Sequence, residues 1–146
     1  MENAVSDFIK KKNLALIGLS KTKGKFGNYA YKELTSRGYN VYAVHPSGEE
    51  IDGIPCSKDL ASIKDKVEGV FVSVSKKNIP LILQDISSVG LKNVWLQQGC
   101  ESNEAIEEAK QLGLNLISKK CILMYAEPVK SFHKFHQFFA NIFARN

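Results

Sequence analysis

Gly18, Ser20, Lys21, Lys23 and Lys25 fall within eight consecutive residues, in the run Gly18-Leu19-Ser20-Lys21-Thr22-Lys23-Gly24-Lys25-Phe26-Gly27-Asn28. An uncharged, mostly apolar stretch leads into them and a helical pattern at 29–37 follows. A buried parallel strand that opens through a tight turn onto a helix N-terminus presents unpaired backbone N–H groups and the positive end of the helix dipole. Both favour a phosphate. The three lysines add positive charge at the same place, so the chemistry indicated is the binding of a phosphorylated ligand. Ser20 as a nucleophile lacks support, because its flanks do not form G-x-S-x-G and no triad order is visible. A turn or capping serine that also touches the ligand suits these neighbours better.

Other reactive side chains give less. His45 is the one histidine beside the expected ligand crevice, and no carboxylate is evident to orient it as an acid or base. Cys56, Cys100 and Cys121 are odd in number and widely spaced, with no CxxC or Cys/His pattern. Neither a structural zinc nor a disulfide framework is therefore indicated, and free thiols suit a reducing cytosol. Cys100 and Cys121 also lack a clear activating partner. His133 and His136 stand three apart, as metal ligands can, but no third ligand is in view and no metal is assigned. No residue is assigned as catalytic.

At 146 residues the chain is long enough for one well-buried core, and a single domain over 1–146 is expected. Its 20 Lys and Arg exceed its 15 Asp and Glu by five, which favours anionic partners but is modest for a nucleic-acid binder. No nucleic-acid partner is expected. No signal peptide or membrane-length apolar run is visible, so the expected location is the cytoplasm, with no membrane partner.

The elements that must position the loop alternate from end to end. Short β-rich runs at 14–19, 40–44, 69–74, 93–97 and 115–118 are separated by helical patterns at 29–37, 78–89 and 103–112, with a short helix-like segment at 59–64. Gly38, Gly90 and Gly113 mark helix ends ahead of three of the strands. Strict alternation with near-continuous apolar strands implies an α/β fold: a Rossmann-like, doubly wound parallel sheet of about five strands.

The dinucleotide fingerprint needs a second glycine two residues after the first, and an acid at the end of the second strand. Here Ser20 replaces that glycine, and the second strand ends in His45-Pro46 with no acid before Glu49. A different set of motifs is present in order: Gly18-Leu19-Ser20, Val44-His45-Pro46, Ile51-Asp52-Gly53-Ile54-Pro55-Cys56, Trp95-Leu96-Gln97-Gln98-Gly99 and Lys120-Cys121-Ile122-Leu123-Met124. In these, over roughly residues 10–128, the chain resembles the small stand-alone CoA-binding domain proteins, similar to the CoA-binding Rossmann domain of the succinyl-CoA synthetase alpha subunit. The resemblance implies coenzyme A or an acyl-CoA as ligand. Gly18, Ser20 and the loop with Lys21, Lys23, Lys25 and Phe26 would face its phosphates. Pro46 would border the adenine and ribose, with His45 beside it as a ligand contact, Val74 and Ser75 would line the crevice, and Gln97, Gln98 and Gly99 would approach the pantetheine. The chain departs from the synthetase subunit after the third strand, where Ser73-Val74-Ser75-Lys76-Lys77 lacks a proline.

A last feature stands apart from the core at 10–128. After Glu127-Pro128, Val129, Phe132, Phe135, Phe139, Ile142 and Phe143 recur at helical spacing, widened by Phe138. The pattern predicts an amphipathic C-terminal helix at about 129–145. Its apolar stripe must dock on the domain's own sheet or on a partner subunit, first of all a second copy of the chain as a homo-oligomer, and a membrane surface comes third because the polar face carries too few cations. The expected function is that of a binding or sensing module for CoA species without catalytic machinery of its own. The alternatives are an NAD(P)-binding oxidoreductase or redox sensor, and a protein-interaction module with a vestigial nucleotide pocket.

Overall fold

The structure, a computed structural model, describes residues 2–22 and 25–126. The expected C-terminal helix, with its phenylalanines and with His133 and His136, lies outside the described residues, as do Lys23 and Gly24. In chain order the elements are α1 (Glu2–Ile9), β1 (Asn13–Ile17), α2 (Phe26–Ser36), β2 (Asn40–Val44), β3 (Cys56–Ser57) and β4 (Gly69–Val72). After a 3-10 turn at Lys76–Asn78 come α3 (Ile79–Ser88), β5 (Asn93–Gln97), α4 (Asn103–Gln111), β6 (Asn115–Lys120) and a second 3-10 turn at Ile122–Met124.

The strands form one sheet in the order β3-β2-β1-β4-β5-β6, and every pairing is parallel. That is the doubly wound order, in which the winding reverses between β1 and β4. Side-chain alternation explains both covered faces. Leu14 and Leu16 of β1, Phe71 of β4 and Trp95 of β5 point to the side that α1 and α2 cover, with Val5, Phe8 and Leu34. Ala15, Val70, Val72, Val94 and Leu96 point to the other side, against Ile79, Leu83 and Ile86 of α3 and Ala105 of α4. Phe8 meets Trp95 edge-on with ring centroids 5.4 Å apart, which docks α1 on the sheet.

Two local expectations are corrected. The sheet has six strands rather than five, because two residues, Cys56–Ser57, pair with Ala43 and Val44 at the edge. Residues 59–64 are turns rather than a helix-like segment. Leu60 and Ile63 have helical spacing and are buried, but the Asp59 side chain accepts from the Ser62 N–H and the Ser62 hydroxyl donates to the Asp59 carbonyl. Such local bonds compete with a helix and leave i→i+3 turns, Ile63 to Leu60 and Lys66 to Ile63.

The edge where strands begin is closed by amides. Asn40 Nδ2 donates to Asn13 Oδ1 at 2.9 Å, Asn13 Nδ2 to Glu68 Oε1 at 3.3 Å, and Asn115 Nδ2 to Asn93 Oδ1 at 3.1 Å. Each Asn opens a strand. The opposite edge, where strands end, carries the loops of interest.

Candidate functional site

The site begins where β1 stops. Gly18 has φ +147°, in the region that favours glycine, and its Cα faces the Ser73 carbonyl at the end of β4. A Cβ on Gly18 would fall on that carbonyl oxygen. Gly27, in the first turn of α2, stands equally close to the Gly18 carbonyl. Three backbone segments are thus stacked at the winding reversal, with no side chain between them.

Asn28 holds the loop onto α2. It is 4% exposed, and its amide spans the Ser20 backbone: Ser20 N–H donates to Oδ1 at 2.8 Å and Nδ2 donates to the Ser20 carbonyl at 2.8 Å. Ser20 Oγ accepts from the Thr22 N–H at 3.1 Å, the geometry of a turn serine. Asp52 of the Ile51–Ile54 bridge adds an ion pair to Lys32 at 2.8 Å and accepts from Asn28 Nδ2 at 3.4 Å. At the start of α2, Lys25 is the N-cap and makes no side-chain cap bond, and the first turn has no acid. Its leading N–H groups therefore point at the loop with no carboxylate of the first turn beside them.

Beside Gly18 a cleft of about 680 Å³ opens. Its floor comes from strand ends, with Ile17 closing β1 and Gly18 and Leu19 following it, and Val44 closing β2 and His45 and Pro46 following it. One wall is the turn segment Lys58, Asp59, Leu60 and Ala61 after β3. Val74 and Leu81, Ile82, Asp85 and Ser88 of α3, with Asn78 and Val89 at its two ends, complete the lining. His45 Nδ1 accepts from the Ser47 N–H at 3.2 Å and lies 2.9 Å from Ser47 Oγ.

Of the residues singled out from sequence, Gly18, His45, Pro46 and Val74 come together in this cleft. Ser20, Lys21, Lys25 and Phe26 lie outside its lining, on the loop and first turn next to Gly18, with Lys21 and Lys25 exposed. Ser75 leads the 3-10 turn, its Oγ accepting from Asn78 Nδ2 at 3.2 Å. Gln97, Gln98 and Gly99 are also outside the cleft. Gln97 is 3% exposed, with Oε1 accepting from the Ile122 N–H at 3.1 Å and Nε2 without a partner among the described residues. The exposed Gln98 donates its N–H to the Lys120 carbonyl at 3.2 Å, and the Gly99 N–H donates to the Glu101 carboxylate at 3.1 Å. Sequence reasoning missed the Lys58–Ala61 wall and the α3 face. The available signal was Leu81, which is 67% exposed and lies off the helix's buried stripe of Ile79, Leu83 and Ile86.

Burial pushes the thiols of Cys56, Cys100 and Cys121 up from their ordinary value. All three are therefore protonated at neutral pH, which disfavours thiolate chemistry. Among the described residues no group of His, Cys, Asp and Glu could hold a metal ion, and no helix is long and apolar enough to cross a membrane. What the arrangement offers is a polar-rimmed apolar cleft, open at a topological switch point, next to a backbone loop at a helix N-terminus.

Comparison with known proteins bears on this geometry. The sequence profile described as a CoA binding domain matches residues 12–127. An ADP-forming acetate–CoA ligase (I) of Archaeoglobus fulgidus is 29% identical over 123 residues, covering 77% of this chain and 18% of the ligase. The chain thus spans about a fifth of that relative's length. A hypothetical protein from Pyrococcus horikoshii superimposes with a TM-score of 0.76 at 28% identity, over 88% of this chain and 92% of that one. A conserved hypothetical protein from Pyrococcus furiosus gives 0.70 at 30% identity, over 76% of this chain and 96% of that one.

Proposed function

The chain belongs to the CoA binding domain family, and from that premise we propose that it binds coenzyme A or an acyl-CoA in the cleft beside Gly18. In this reading the loop with Lys21, Lys23 and Lys25 and the N-terminus of α2 take the diphosphate, and His45 and Pro46 border the adenosine. The protein works as a binding or sensing module with no catalytic group of its own. One observation carries the reading: residues from the ends of three separate strands, Gly18, His45 with Pro46, and Val74, line a single cleft. Ligands of open α/β sheets sit at such a place. The chain is related to the CoA-binding part of a ligase whose remaining four-fifths it does not span, and we carry over the binding and not the ligation.

The same proposal includes one domain over 1–146, with its core at about 10–128, in the cytoplasm, where free Cys56, Cys100 and Cys121 are at home. It also includes self-association through the Phe-rich C-terminal stretch. Thermal melting of ligand-free protein with CoA, acetyl-CoA, NADH, NADPH and ATP tests the central part. Ligand at about 100 times its dissociation constant stabilises by about 2.7 kcal/mol, a rise of several degrees for a domain of this size. A rise with CoA species alone is expected. A rise with NADH or NADPH alone would replace the reading with a redox one, and no rise with any ligand would remove the binding function.

A further inference from the structure

We infer that Lys58 makes this cleft selective for a phosphorylated ribose, so that the 3′-phosphate of CoA is a recognised group and dephospho-CoA a poor ligand. The inference rests on the CoA reading and concerns one end of the same site. In dinucleotide-binding folds an acid after the second strand receives the free ribose diol, and a cation there receives a phosphorylated ribose instead. Here β2 is followed by His45 and Pro46, and the imidazole Nδ1 accepts from the Ser47 N–H. The cation comes from the neighbouring strand. The His45 N–H donates to the Ser57 carbonyl at 2.9 Å, which brings the residue after β3 to the end of β2.

That residue is Lys58, the one Lys or Arg among the described residues lining the cleft. Its stem runs along the His45–Gly48 turn, where a Cβ built on Gly48 would stand 3.5 Å from Lys58 Cβ. The stem is thus in van der Waals reach of the turn, and the ammonium makes no hydrogen bond or ion pair with any described residue. The lining also holds two acids, Asp59 and Asp85, and neither is ion-paired with Lys58 among the described residues. Asp59 Oδ1 accepts from the Ser62 N–H at 3.0 Å, and Asp85 stands on α3 at the other side of the lining. Glu49 and Glu50 are exposed beyond the turn, and neither lines the cleft.

Calorimetric titration of the full chain with CoA and with dephospho-CoA tests this, alongside Lys58→Ala and Lys58→Arg. A charge-assisted contact to one phosphate predicts that the native protein prefers CoA by about tenfold. In Lys58→Ala the ratio of the two dissociation constants falls close to one, and in Lys58→Arg it is kept. Lys58 is exposed, so the variants should match the native melting temperature, which is checked first. Equal affinities in the native protein, or a preference that survives in Lys58→Ala, would overturn the inference while leaving CoA binding intact. Failure of both ligands to bind would overturn the CoA reading and this inference together.

Discussion

Replacing Gly27 by alanine lowers the melting temperature by about 6 °C and abolishes the proposed CoA binding, although alanine is the better helix former. Two effects oppose each other at this position. Helix propensity alone favours alanine over glycine by about 1 kcal/mol, which would raise the melting temperature. Packing acts the other way, because the new methyl falls on the Gly18 carbonyl oxygen, and Gly18 is itself pressed on the Ser73 carbonyl. Neither obstacle is a flexible side chain that could turn aside. Overpacking against fixed backbone costs about 3 kcal/mol, more than propensity returns, so α2 must lift and drag the Ser20 loop with it through Asn28. A variant that melts at or above the native temperature would show that α2 does not approach β1 this closely.

Arg37→Ala costs about 3–5 kcal/mol, or about 10–15 °C, without touching the cleft. The Arg37 side chain is 1% exposed and sits at the end of α2. Its Nε pairs with Glu33 at 3.0 Å, and its Nη1 donates to the Leu123 and Ala126 carbonyls at 2.9 Å each. Removing the guanidinium leaves two buried carbonyls without this donor and a carboxylate, 20% exposed, without its cation. Lysine cannot reproduce the fork, so Arg37→Lys recovers only part of the loss. The added substitution Glu33→Gln restores some stability by removing the stranded charge. A loss under about 1 kcal/mol in Arg37→Ala would mean that this clamp between α2 and the segment after β6 is not formed.

How far this was legible from the residues depends on the range over which each signal acts. Leu14-Ala15-Leu16, Val70-Phe71-Val72 and Val94-Trp95-Leu96 each announce a strand buried on both faces, and they form the centre of the sheet. The loop after β1 was equally readable, because a glycine ending an apolar run ahead of a helix is a local pattern. The edge strand was not. Cys56–Ser57 is too short for any periodicity, and it exists because β2 offers it a free edge. Residues 59–64 misled because Leu60 and Ile63 share a face while Asp59 and Ser62 spend their side chains on a turn.

Half of the cleft depends on tertiary placement. Asn78, Leu81, Ile82 and Asp85 become a wall only once α3 is laid along the sheet on its Ile79, Leu83 and Ile86 stripe. Lys58 gains its place through a strand that sequence did not reveal. Gln97 has the opposite history: a polar residue ending an apolar strand suggests ligand contact, yet its amide turns inward and binds the Ile122 N–H. Without the path of the chain after β6, nothing marks that partner.

The most direct test is a titration of isotope-labelled, ligand-free protein with CoA, followed by amide resonances. Binding at the strand-end edge predicts that Gly18, Leu19, His45, Val74 and Asn78 shift and saturate together. The amides of Asn13, Asn40, Asn93 and Asn115, on the edge where strands begin, should stay still. Shifts confined to that opposite edge, or none at saturating CoA, would contradict the account.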